Sequence, residues 1–102
     1  MVEIYKVIWD KPAVNQLKST CQKIREDSLQ HTEKFRSAIL TKASSLNKNP
    51  YRYPADKFRK DKDTCYRAVE VLKQRITYYI DEPDRKVIIL RVRSVRQEPL
   101  EY

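Results

Sequence analysis

Glycine is absent from all 102 residues. The phosphate-cradling loops of nucleotide-binding proteins need glycine where backbone meets phosphate, so P-loop and dinucleotide-binding fingerprints are excluded. One histidine, His31, stands alone, which leaves no basis for His-metal or Ser-His-Asp arrangements. Two cysteines, Cys21 and Cys65, are too few for a disulfide framework or a zinc site. No metal and no cofactor is therefore expected. No apolar run approaches the roughly 18 residues of a membrane span, and the start Met-Val-Glu-Ile-Tyr-Lys lacks the pattern of a secretory leader. A cytoplasmic protein without membrane contact is the expectation.

Charge is what the chain has in excess. Twenty-two Lys and Arg face fourteen Asp and Glu, a formal net charge of +8 with a pI near 9.6. Such a field attracts polyanions: nucleic acid, an anionic membrane or an acidic protein. At 102 residues, one domain spanning 1–102 is expected.

Val2 to Trp9 is rich in β-favouring residues and reads as a strand. Asp10 is placed to cap a helix, and Pro12 suits its first turn. Val14, Leu17, Cys21 and Ile24 recur at helical spacing, which makes Cys21 a small core residue. Ser28 caps a second helix whose stripe is Phe35, Ile39, Ala43 and Leu46, and Asn47-Lys48-Asn49-Pro50 stops it. His31 falls in an exposed first turn. Residues 50–64 form a long loop alternating Tyr51, Tyr53 and Phe58 with Arg52, Lys57, Arg59, Lys60 and Lys62. Aromatics that stack on bases and cations that pair with phosphates would make it a nucleic-acid loop. Equally, its aromatics could pin a solvated loop to the core. Strands at 66–71, 75–80 and 87–93 follow, joined by short links, as in an antiparallel meander. The fold class is α+β, ordered β-α-α-β-β-β, an antiparallel sheet packed against a helical hairpin.

Strand alternation then assigns faces. Ile76, Tyr78 and Ile80 share one face, with Arg75 opposite; Ile88, Leu90 and Val92 share one face, with Arg91 and Arg93 opposite. Arg67 lies opposite Tyr66, Ala68 and Glu70. A sheet covered on one side would present several of these arginines on its open side, suited to bidentate phosphate pairing.

The series Tyr66-Arg67, Arg75-Ile76-Thr77-Tyr78-Tyr79, Val87 to Val92, Arg96-Gln97 and Tyr102, with Tyr5-Lys6-Val7 and the Asn49-Pro50 stop, resembles the RelE/ParE toxins of bacterial type II toxin–antitoxin (plasmid stabilisation) systems. The resemblance spans essentially the whole chain. It implies a cognate antitoxin as partner. It also implies one of two targets: ribosome and mRNA for RelE-like nucleases (mRNA interferases), or DNA gyrase for ParE-like members, which lack the nuclease residues. Matched to the nuclease pattern, Arg75, Arg96 and Tyr102 would be catalytic. Arg67, Lys57, Arg59, Lys60, Arg91 and Arg93 would bind RNA phosphates. The expectation is a metal-independent endoribonuclease, with a gyrase inhibitor without nuclease activity as the alternative. Val69 stands where that pattern has a second lysine, and no histidine stands near Ser94.

Overall fold

The structure, a computed structural model, describes residues 4–56 and 65–95. It contains strand β1 (Lys6–Trp9), helices α1 (Lys11–Asp27) and α2 (Leu29–Ser44), and strands β2 (Tyr66–Val71), β3 (Gln74–Asp81) and β4 (Lys86–Ser94). Single 3-10 turns at Ser45–Asn47 and Pro50–Arg52 carry the chain out of α2. Pro12 lies in the first turn of α1, where its missing N–H costs nothing. Asp10 occupies the N-cap position without a side-chain bond to the helix. Ser28 does cap α2, its Oγ accepting the His31 N–H at 3.2 Å, while the Ser28 carbonyl accepts Thr32 Oγ1–H at 2.9 Å.

The four strands run in the order β1-β4-β3-β2. The meander β2-β3-β4 is antiparallel, but β1 pairs parallel with β4, so the sheet is mixed rather than antiparallel throughout. The helical hairpin forms the crossover that parallel pairing requires. Phe35, Ile39 and Ala43 of α2, with Ala13 and Leu17 of α1, pack against Ile76, Tyr78, Ile80, Val87, Ile89 and Val92. Cys21 joins this core from its margin, half-buried, and burial pushes its thiol pKa up.

The expected face assignment of β4 needs correction. Thr77 pairs with Arg91 while Tyr78 pairs with Ile89, so Leu90 is an extra residue in β4. This β-bulge changes the alternation midway. Val87, Ile89 and Val92 enter the core, while Ile88 and Leu90 fall on the face of Arg91 and Arg93.

β1 is four residues long and β4 nine, so the C-terminal half of β4 extends past β1. There α1 stands in for the missing strand: Gln16 Oε1 accepts the Val92 N–H at 2.7 Å.

Candidate functional site

Arg75 does not sit free on an open face. Its Nη2 donates to Asp56 Oδ1 at 2.7 Å, and its Nη1 lies 3.5 Å from Glu70 Oε2. The Asp56 side chain is wholly buried and that of Arg75 only 9% exposed. The backbone fixes the pair: Asp56 N–H donates to the Tyr66 carbonyl at 2.7 Å, and Ala55 bridges Arg67, holding residues 55–56 against the β2 edge. A guanidinium matched to a buried carboxylate has its charge spent on that partner.

Arg67 departs from expectation more sharply. It pairs with Tyr78 across β2-β3, so it shares the helix-side face rather than that of Arg75. Its Nη1 donates to the Tyr53 carbonyl at 2.6 Å and the Tyr51 carbonyl at 3.3 Å, and its guanidinium lies 5.0 Å from the Tyr51 ring centroid. Tyr78 Oη–H, buried in the core, donates to the Pro50 carbonyl at 2.6 Å, and its burial pushes its pKa well up. Arg67 and Tyr78 thus hold the Pro50–Tyr53 segment to the sheet. Of the two readings of the long loop, pinning by aromatics describes this part.

The same segment carries a cluster that sequence reasoning missed. Glu82 Oε2 accepts both Tyr5 Oη–H and Tyr51 Oη–H at 2.5 Å, and Arg85 Nη1 donates to Glu82 Oε1 at 2.6 Å and to Tyr5 Oη at 3.0 Å. Arg85 also stacks over the Tyr5 ring at 4.2 Å. The hydrogen bond to Glu82, then burial, raises the Tyr5 pKa to about 12; burial, then the same carboxylate, raises that of Tyr51. Both phenols hold Glu82 below its ordinary value. Three segments remote in sequence meet here, so no local spacing announces the cluster.

On the sheet face away from the helices, Arg91 and Arg93 lie half-buried beside Thr77 and Arg75, and the Tyr66 and Tyr79 rings meet at 4.7 Å. Lys57, Arg59, Lys60, Arg96 and Tyr102 lie outside the described residues. The expected catalytic set is therefore represented here by Arg75 alone, in its ion pair. Among the described residues, no three His, Cys, Asp or Glu side chains converge as a metal site requires.

A second feature lies on the helical hairpin. A groove of about 800 Å³ runs between α1 and α2, floored by Trp9, Val14, Leu17, Cys21, Leu29 and Leu40. Lys18, Arg25, Arg36 and Glu33 line it as well, three cations to one acid. Leu29 is 57% exposed at this groove, a large apolar side chain left to solvent among those charges.

Comparison with known proteins places these features. The family model of the ParE toxin of type II toxin–antitoxin systems (parDE) matches residues 7–99. No curated relative matches the sequence. Among solved structures, a chain of the RelBE2 toxin–antitoxin complex from Mycobacterium tuberculosis is similar at TM-score 0.66 and 21% identity, covering 92% of this chain and 94% of that one. A chain of the chromosomal ParDE system from P. aeruginosa is similar at TM-score 0.69 and 13% identity, covering 90% and 97%. At these identities the two structures establish the fold alone. The family match corrects the expectation of a metal-independent endoribonuclease, because ParE is the branch associated above with gyrase inhibition rather than RNA cleavage. The burial of Arg75 against Asp56 agrees with that correction. A β-α-α-β-β-β chain with a mixed sheet, matched over residues 7–99, belongs to the ParE toxin family of type II toxin–antitoxin systems.

Proposed function

We propose that this chain is the toxin of a type II toxin–antitoxin module and acts by binding DNA gyrase, without cutting nucleic acid. The observation that carries the reading is the ParE family match over residues 7–99. The locked Arg75–Asp56 pair supports it, since a binding inhibitor needs no mobile arginine to meet charge developing on a phosphoryl group. The neutralising partner is an antitoxin. Charge alone would seat an acidic, amphipathic segment of it on the arginine face. The α1–α2 groove is the better seat: its apolar floor rewards burial, and Lys18, Arg25 and Arg36 favour an acidic helix.

The test is a supercoiling assay with purified gyrase, run beside mapping of mRNA ends after brief expression in cells. The expected outcome is inhibited supercoiling, a DNA damage response and intact mRNA. Cuts within translated codons, with supercoiling untouched, would sink the proposal.

A further inference from the structure

The far end of the sheet carries an unused surface. The β2-β3 hairpin turns through Leu72 and Lys73, both left-handed at φ 48° and 63°. Glycine or asparagine normally occupies such positions, because a Cβ there costs about 1–2 kcal/mol per residue. Leu72 is nonetheless a large apolar side chain, and it is 56% exposed. An exposed leucine at a strained tip is costly twice over, in backbone conformation and in hydration. Strain maintained in this way points to a role.

Beside the tip, a slot of about 570 Å³ opens between α1 and the ends of β3 and β4. Lys23 and Arg93 line it, and no acidic side chain does so among the described residues. Gln74 lines it too, 8% exposed, its Oε1 buried without a hydrogen-bond partner among the described residues. Arg67 Nε, Arg91 Nε and Arg93 Nε are buried and unpartnered in the same sense, Arg93 belonging to the sheet face of Arg91 and Arg75. A native fold leaves few such groups unmet, so each requires an explanation.

The orphan of the slot, Gln74 Oε1, is an acceptor. A DNA backbone offers only acceptors and cannot satisfy Gln74 Oε1. A peptide offers N–H and C=O together, and an acidic side chain on it would answer Lys23 and Arg93. An apolar neighbour on the partner would receive Leu72. We infer that the Leu72–Lys73 tip and the Gln74–Arg93–Lys23 slot form the surface by which this chain grips its target, at an acidic segment of protein bearing an apolar pocket. This assignment rests on the gyrase reading and locates its contact on this chain, away from the α1–α2 groove.

The experiment compares the full-length wild type with Leu72→Asn, Lys23→Glu and Arg93→Glu in gyrase supercoiling, with thermal melts of each. Asparagine tolerates the left-handed region, so Leu72→Asn relieves strain while removing the anchor. The expected result is a raised Tm together with at least about tenfold weaker inhibition, the scale of a lost hot spot. Each charge reversal should weaken inhibition with Tm little changed. Inhibition by Leu72→Asn and Lys23→Glu equal to wild type would overturn the assignment while leaving the gyrase reading standing. A wild type inert towards gyrase would remove the reading and the assignment together. Binding of free duplex DNA that falls with Lys23→Glu and Arg93→Glu but ignores Leu72→Asn would show a nucleic-acid groove, overturning the protein contact.

Discussion

The arginines of this chain show how little a residue's type says until its partner is known. Arg75 and Arg67 both look like phosphate ligands in sequence, yet one holds a buried carboxylate and the other two backbone carbonyls. The partner of Arg75 lies 19 positions upstream, across a loop whose path no periodicity reports. Arg75→Ala should therefore cost about 3–5 kcal/mol in urea denaturation, because Asp56 is left as a buried charge without its partner. A double replacement by apolar residues of similar volume should recover most of the loss; a change below about 1 kcal/mol in the single variant would remove the structural role assigned to the pair. The Glu82 cluster answers to pH instead. The depressed Glu82 pKa means that its contribution is present above the ordinary carboxylate value and declines as pH falls through the folded value. Tyr5 has the opposite sign: its pKa is raised, so its contribution is complete below about 10 and is lost as pH rises towards about 12. Denaturation midpoints across pH should thus fall on both flanks, and Glu82→Gln should flatten the acid flank and lessen the alkaline one, since Glu82 is the first cause of the shift in Tyr5 and follows burial in Tyr51.

At the scale of elements, most of the fold was readable. The stripe Phe35, Ile39, Ala43, Leu46 is buried throughout, and the meander strands fall within one residue of their expected limits. Hydrophobic period and strong stops carry that information directly. Two things escaped. The bulge at Leu90 is invisible because Val87-Ile88-Ile89-Leu90 is apolar at every position, so the sequence never indicates where alternation slips. The parallel entry of β1 depends on which sheet edge the helical crossover reaches, a property of packing rather than of residues 6–9. Arg67 was misplaced for a related reason: a cation on the helix-side face is tolerated because the Tyr51 and Tyr53 carbonyls meet it there. The β2-β3 turn supplies the stability test at this scale. Lys73→Gly should raise stability by about 1 kcal/mol in chemical denaturation, since glycine enters the left-handed region freely and Lys73 is exposed. No gain would mean that the turn is less strained than its φ values imply.

For the whole molecule, the +8 charge governs encounter more than affinity. Association with an acidic antitoxin, followed by stopped flow, should slow steeply between low and physiological salt. With the antitoxin seated on the apolar groove floor as proposed, dissociation should change little. Equal sensitivity of both rates would argue that the groove is not the seat. Gln16 has a further consequence at this scale. A β-sheet with an unpaired half-edge is a template for another chain's strand, and basic proteins gathered on a polyanion are brought to high local concentration. By taking up the Val92 N–H with a side chain, α1 presents a helix where a neighbouring copy would need a strand. At Val92 the chain thereby offers a neighbouring copy a helix in place of a strand edge, with the charges of Arg91 and Arg93 on either side.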